Sequence, residues 1–590
     1  YAGYILDGLS STPYEQSTNQ ADWDVDKDTP ALKDVYKDYF KLGACNGNQM
    51  CGDNNTSPYA RLFWKNFNTT VSDGAFKKGW IRRNGFDQPY CMDTANRMMY
   101  FCYKNGLTDI AGHTLWGHSS EVKNFSDENG NLLDRDGMLK IIKDDIEFML
   151  NHFDGKGEAE NYYLDDGSLI PYDDYKNWRI AVWDIANEIS ANWIDPNGCG
   201  AYRATSDGVT SVDFYKVIGP DYAQWMYKYA RDVNPDTELR LNDFEDQSTK
   251  RAAFLQILSD MNAPNNVAGG QKLVDKIGLQ THLTPDMDPS YVRESIEMYT
   301  ATGLGLDISE VDFQAHSFEP NEASQKKFEK GITKMREFEQ AILLRDMFEV
   351  FKEFSDDIER VTFWTFTDRY AFLNTFKTDY PGLFDRNFNP KPMFWAIASN
   401  EEEFYERYPE AKLLFGKTEW HFDYESDITF SFNMGSWTRS VPEQYDVQPI
   451  ILDDGEGGGY MRCVRRWRET DNEGIRIKLS GELYKPGKTY TLTFKTKFEG
   501  SNPAGEAGRP IYAAFTKPST LIKGEDSAAA FLLNGINCGN TATEWTEYSV
   551  QITPKASDFE DGYTSLYLCM PGGIKTNMAT YLCFDDISIH

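Results

Sequence analysis

No run of about 18 apolar residues occurs in this sequence, so no segment of it is expected to span a membrane. Positive charge is scarce: 60 Lys and Arg stand against 92 Asp and Glu, a net charge of −32. Such a surface repels a phosphate backbone, and the one basic clump, Val464–Arg468, is too short to reverse that, so nucleic acid is not expected as a partner. An acidic surface suits a neutral polymer, and it suits plain solubility equally well. The nine cysteines (45, 51, 91, 102, 199, 463, 538, 569 and 583) are few and odd in number, which excludes a disulfide scaffold and leaves at least one thiol free or paired between chains. No C-x-x-C is present, which argues against a zinc ribbon or a thioredoxin-type redox site. P-loop, H-E-x-x-H and G-x-S-x-G motifs are missing, Gly455–Tyr460 lacks a dinucleotide-binding frame, and the seven His have no metal spacing. No catalytic cofactor or metal is therefore expected. No signal-peptide pattern opens the chain, which begins at Tyr1 and reads as a mature or trimmed form of a secreted protein.

What is present is length and aromatic surface. The 590 residues exceed one ordinary core and imply two or three domains. Aromatics reach 14%, with 14 Trp and 34 Tyr, which fits large cores or, less simply, rings that stack on pyranose faces. Short β-rich runs alternate with helical patterns up to about residue 400. Strands are expected at 40–45, 62–67, 108–113, 180–185, 238–241, 276–282, 304–309 and 361–366. Eight strands with long crossovers predict a (β/α)8 barrel, an α/β fold. A doubly wound sheet is the alternative, but it usually carries a Gly-rich first turn, which is missing. After a charged stretch, alternating segments such as "ITFSFNM", "KTYTLTFKTKF" and "EYSVQITP", punctuated by Gly, Pro, Asn and Asp, predict an all-β sandwich. The expected division is an N-terminal extension over 1–35, a barrel over 36–400, a linker over 401–419 and a sandwich over 420–590.

Retaining hydrolysis of a glycoside needs two carboxyls about 5 Å apart, one acid/base and one nucleophile. In a barrel they belong at the C-terminal ends of strands. Glu188 closes "AVWDIANE" at the fourth strand and Glu310 closes "LGLDISE" at the seventh. Either alone reads as a loop residue or helix cap; two at such ends make a candidate pair. The flanks carry more. "WDIANE" (Trp183–Glu188), "ISEVD" (Ile308–Asp312), "GHTLWGHS" (Gly112–Ser119), "LRLNDF" (Leu239–Phe244), "IGLQTHL" (Ile277–Leu283), "FWTFTD" (Phe363–Asp368) and "GLFDRNFNPKPMF" (Gly382–Phe394) follow one another in the order of the motifs of glycoside hydrolase family 10, the endo-β-1,4-xylanases. The chain resembles that family over about residues 36–400.

The resemblance implies roles. Glu188 is the acid/base that protonates the leaving oxygen, and Glu310 is the nucleophile. His282 hydrogen-bonds Glu310 and is oriented by Asp312. Asn187 binds the 2-hydroxyl. Gln280, His113 and Asn242 line the sugar beside the cleaved bond, Trp364 is its stacking floor, and Lys77 serves the non-reducing side. The same resemblance exposes departures. Where the family has E-N-x-M-K, this chain has Asp73 and Gly74 before Lys77. Trp116 and Gly117 stand at the usual Val and Trp positions, and Phe372 replaces a second Trp. A long segment, Gly155–Tyr175, precedes strand four. Trp116 and the Tyr162–Tyr175 stretch are expected to reach the barrel mouth and refill the space, and a decorated or kinked polymer is expected to outperform short linear xylo-oligosaccharides.

The C-terminal sandwich (jelly-roll) resembles the xylan- and glucan-binding modules of carbohydrate-binding families 4, 9 and 22, through segments such as "LYKPGKTYTLTFKTKF" and the terminal "FDDISI". That resemblance implies sugar stacking by Trp437, Trp467 or Trp545, against which each reads as a core Trp, and a structural calcium, for which Asp423 and Asp586 are the candidate ligands. The expected whole is a secreted, monomeric retaining endo-β-1,4-xylanase acting on xylan or a related plant or algal cell-wall polysaccharide. The same chemistry on mixed-linkage xylan or glucan, or a non-catalytic carbohydrate-binding protein, remain the alternatives.

Overall fold

The computed structural model describes residues 15–17, 28–46, 57–85, 88–117, 125, 131–195, 198–203, 214–244, 250–284, 289–315, 331–371, 378–416, 418–422, 450–454, 458–465, 473–500, 510–518, 535–570 and 580–590. Eight parallel strands close on themselves: β1 (Lys41–Cys45), β2 (Thr69–Val71), β3 (Ile110–Gly112), β4 (Val182–Asn187), β5 (Glu238–Asp243), β6 (Lys276–Leu279), β7 (Gly305–Phe313) and β8 (Ile358–Phe363). Each pairs with the next, and β8 pairs back on β1. Each strand is followed by a helix: α1 (Pro58–Asn66), α2 (Asp93–Lys104), α3 (Arg135–Phe153), α4 (Tyr222–Val233), α5 (Arg251–Met261), α6 (Pro289–Thr300), α7 (Lys334–Glu353) and α8 (Pro392–Ala398). This is the expected (β/α)8 barrel.

The stretch 62–67, expected as a strand, lies instead within and just beyond α1. A six-residue run with four apolar residues cannot by itself distinguish helix from strand. The local signal is Ser57-Pro58: the Ser57 side chain accepts from Ala60 N, and Pro58 takes the first turn. Tyr59, Leu62, Phe63 and Asn66 then bury one helical face, leaving β2 only three residues.

Outward side chains such as Trp183, Leu239, Leu241, Ile277, Leu306 and Val361 form one core with the helices. The inside of the barrel is ionic. Arg240 reaches Asp184 through Nε and Nη2, both at 2.8 Å, and Asp307 through Nη1 at 2.9 Å. Arg360 continues the chain to Asp307 at 3.5 Å and to Asp109 at 2.7 and 3.0 Å. Gly278 makes room for it, since a Cβ there would collide with Asn242 Oδ1 and the Arg240 side chain.

Described parts of the N-terminal stretch pack on the barrel: Gln16 donates to Asp368 at 2.6 Å, and Leu32 is fully buried. At the other end, helix Glu401–Arg407, opened by an Asn400–Glu403 capping box, and the 3-10 turn Pro409–Gly416 lay Phe404, Leu414 and Phe415 on the barrel core. Phe415 then meets Tyr563 of the second domain, with ring centroids 5.1 Å apart. Among the described residues Cys45, Cys91 and Cys538 are free thiols.

That second domain is a pair of antiparallel sheets. Its strands are β9 (Glu419–Trp420), β10 (Ile450–Asp453), β11 (Gly459–Arg465), β12 (Glu473–Ser480), β13 (Tyr490–Gly500), β14 (Pro510–Thr516), β15 (Ile536–Asn540), β16 (Thr546–Ile552), β17 (Tyr563–Met570) and β18 (Thr580–Ile589). One sheet runs β10-β11-β18-β13-β16 with β9 on β18, and the other runs β12-β17-β14-β15. Along β13, Tyr490, Leu492, Phe494, Thr496 and Phe498 point inward and the residues between them outward, the period of a half-buried strand. Trp437, Trp467 and Asp423 lie outside the described residues. Asp586 pairs with Lys495 at 2.5 Å, and His421 Nδ1 lies 2.8 Å from its other oxygen. Among the described residues no helix is long and apolar enough to cross a membrane, and no group of acidic, His or Cys side chains is arranged to hold a metal ion.

Candidate active site

Parallel closure brings the C-terminal ends of all eight strands to one mouth. Glu188 is the first residue beyond β4, and its backbone N donates to Asn242 O at the end of β5 (2.9 Å). Its φ is +54°, and that of Thr281, just past β6, is +56°. A glutamate and a β-branched threonine in the left-handed region cost energy that the surroundings must hold in place, as is common where side chains are aimed at a task. Glu310 lies inside β7, 5% exposed, its backbone N bonded to Gln280 O at 3.1 Å.

The two carboxylates are joined through two amides. Asn242 Nδ2 donates to Glu310 Oε1 at 2.7 Å and to Asn187 Oδ1 at 2.8 Å. Asn187 Nδ2 in turn lies 3.3 Å from Glu188 Oε1, which also accepts from Gln280 Nε2 at 3.1 Å. The register explains the contact, because Asn187 and Asn242 are direct partners across β4 and β5. On its far side Glu310 meets His282, with Nε2 3.5 Å from Oε2, and His282 Nδ1 is 3.0 Å from Asp312 Oδ1. His113 sits 4.0 Å from Glu310 Oε1 and 2.9 Å from Asp184 Oδ2. Trp364, whose N is bonded to Val311 O, presents its ring 5.3 Å from that of His113, and Lys77 Nζ lies 5.6 Å above the Trp364 ring. All ten side chains named from the sequence thus converge.

Charge follows position. Burial alone would lower the His282 pKa, but the Asp312 charge and its hydrogen bond, joined by Glu310, outweigh burial and raise it well above the ordinary imidazole value. His282 thus stands between two carboxylates, both of which favour its charged form. Burial alone would raise Asp184, but the Arg240 charge and its paired hydrogen bonds hold it below the usual carboxylate range.

Several placements differ from expectation. Asn242 was assigned to the sugar, but it is fully buried, and its amide is committed to Asn187, Glu310 and the Ser309 hydroxyl (2.5 Å), so it positions the carboxylate instead. Tyr162 does not reach the mouth: it is fully buried, stacked on Tyr175 at 3.5 Å and on His152 at 4.1 Å, with its hydroxyl bonded to His152 O. The connection from α3 into β4 belongs to the opposite face of the barrel. Trp116 is also buried, under Lys78, whose Nζ lies 4.5 Å from its ring. Gly117 pairs with Asn187 beside the site. Phe372 lies outside the described residues. Arg240, Asp184, Ser309 and Arg203, whose Nη1 is 3.4 Å from Glu188 Oε2, went unnamed in the sequence. Charged residues inside the buried runs "ELRLND" and "WDIAN" were the available signal for the first two.

The model of the glycosyl hydrolase family 10 matches residues 31–167 and 168–400. The endo-1,4-beta-xylanase A of Thermotoga maritima is 29% identical over 404 residues, covering 68% of this chain and 33% of that protein. The thermostable celloxylanase of Thermoclostridium stercorarium is 27% identical over 377 residues, 63% of this chain and 87% of its own. Xylanase B from Clostridium stercorarium F9 superposes with a TM-score of 0.52 at 25% identity over 63% of this chain and all of that one. The chain spans about a third of the length of the Thermotoga relative. With the family model covering more than half of the sequence and the two glutamates at the mouth of a closed barrel, this chain belongs to glycosyl hydrolase family 10.

Proposed function

We propose that the chain is a retaining endo-β-1,4-xylanase that hydrolyses internal linkages of xylan by double displacement. The observation that carries this is the carboxylate pair Glu188 and Glu310, linked through Asn187 and Asn242 and backed by His282. In the first step a Glu310 oxygen bonds to the anomeric carbon, the glycosidic C–O bond breaks, and Glu188 gives its proton to the departing oxygen. In the second, Glu188 takes a proton from water, the water oxygen bonds to the anomeric carbon, and Glu310 leaves as carboxylate. Configuration is retained. Family names that this chain resembles include xylanases, a celloxylanase and an exoglucanase, XynX of Acetivibrio thermocellus, so β-glucan and mixed-linkage xylan belong in the test. Reducing-end release from a panel of xylans and β-glucans, with the product anomer read by NMR, decides it. Inverted product, or no release from any β-1,4-xylan, overturns the proposal.

The sandwich is proposed as a carbohydrate-binding module. On the outward face of its larger sheet, Trp545 is 38% exposed and stands edge-on to Tyr460, 5.6 Å away. Lys497 lies over both rings, and Glu499 accepts from the Tyr460 hydroxyl at 3.0 Å. Aromatic faces rimmed by charged donors and acceptors suit a pyranose. A polymeric substrate fits a secreted, monomeric enzyme that meets it outside the cell.

A further inference from the structure

We propose that Trp80 is a sugar-stacking platform on the non-reducing side of the cleaved bond, standing where the family motif would carry an asparagine. The inference rests on the xylanase reading above. Gly74 replaces that asparagine, and the space it leaves is occupied: a Cβ at position 74 would lie 2.8 Å from Trp80 Nε1 and 3.1 Å from Cδ1. The indole therefore lies against the bare backbone of residue 74, and any side chain there would have to push it aside. Gly74 sits between the mouth residues Asp73 and Lys77, and Lys77 reaches Trp364.

Trp80 is nevertheless 43% exposed. An exposed Trp alone means little. This one is held from both sides. The next residue, Ile81, is fully buried, and Lys78 two positions back is buried in an ion pair with Asp145 (2.7 Å), which also binds Arg82. The ring is thus presented to solvent by a short helix that cannot readily turn away. An asparagine reads one hydroxyl by hydrogen bonding; an indole reads the apolar face of a whole ring and leaves the outward hydroxyls unread. The ligand class is a β-linked pyranosyl unit one position beyond the reacting sugar, with substituents tolerated on hydroxyls that point away from the indole.

The test uses the full chain with two aryl glycosides, an aryl β-xyloside that fills only the reacting position and an aryl β-xylobioside that adds the next unit. Trp80→Ala should lower kcat/KM on the xylobioside about tenfold, equivalent to about 1.4 kcal/mol, and leave the xyloside unchanged. Gly74→Val, which displaces the ring without supplying the asparagine's hydrogen bond, should reproduce that pattern, and Trp80→Phe should recover most of the loss. Equal effects on both substrates, or none on either, overturn the platform while the xylanase reading stands. A wild-type enzyme inert on xylan and on both glycosides overturns that reading and the platform with it.

Discussion

Arg240→Met tests whether the ionic interior supports the site. The residue is 3% exposed and holds Asp184 with two bonds and Asp307 with one. Methionine preserves much of the stem but leaves buried carboxylates without their main cation. Breaking a buried pair from one side costs about 3–5 kcal/mol. Asp307 keeps Arg360 at 3.5 Å and Asp184 keeps His113 at 2.9 Å, so the lower end is expected. At roughly 2.1 cal/mol/K per residue, a barrel of this length loses about 1.3 °C per kcal/mol, so Tm should fall by about 4 °C. The pH dependence carries more information. In the wild type Asp184 is held below its unfolded value, so its stabilising contribution is complete above about pH 4 and lost only as pH falls through the folded value. In the variant, burial without Arg240 raises the folded value instead. The penalty is then largest at neutral pH and shrinks as pH falls. Thermal unfolding of both proteins from pH 4.5 to 8 measures the difference. A Tm loss that is constant across that range, or below 1 °C, would falsify the electrostatic account of the barrel interior.

Glu310→Gln should reduce turnover to background on every substrate, whereas Glu188→Gln should slow xylan hydrolysis by about 10²–10⁴ and spare the first step for aryl glycosides whose leaving groups need no proton; normal turnover of xylan by either variant removes the assignment. His282→Gln deletes a cation whose pKa is raised by Asp312 and Glu310, so its stabilising charge is fully present below about pH 6.5 and lost as pH rises through the folded value. The stability lost by the variant should therefore be largest below about pH 6.5 and shrink as pH rises, read from Tm against pH; a loss that does not change with pH contradicts the role. Trp545→Ala in the full-length Glu310→Gln form should abolish retardation in xylan or β-glucan affinity electrophoresis, and unchanged retardation would take the sugar site off that face.

The barrel was legible because each element carried its own period and its own punctuation, and the pair of glutamates because strand ends in a closed barrel share one mouth. The failures have a common cause. The 62–67 run looked like a strand because its apolar residues said only that it was buried, and the decisive Ser57-Pro58 cap lay outside the window. Tyr162 and Trp116 looked like mouth residues because they were aromatic and near the departures in sequence, but the path of the chain sends one to the opposite face and the other beneath Lys78. Asn242 looked like a sugar ligand because its motif sits beside the site, and only the cross-strand register reveals that its amide is already spent.

The residues that distinguish this chain from its family motifs are therefore best judged by what fills the volume around them. Gly74 is the clearest case. Sequence alone reads it as a lost hydrogen bond, which would weaken the non-reducing side. The structure places an indole in the same volume, six positions along the chain, on a helix anchored by Ile81 and the Lys78–Asp145 pair. Losing one polar contact costs about 1 kcal/mol, and a sugar face stacked on an indole recovers binding without requiring that hydroxyl. Affinity can then be kept while selectivity for the unsubstituted sugar falls. Rates on linear xylohexaose against glucuronoxylan and arabinoxylan separate the two outcomes: an exchange of hydrogen bond for stacking predicts comparable or better rates on the decorated polymers, and a simple loss predicts that Trp80→Ala changes their ranking not at all.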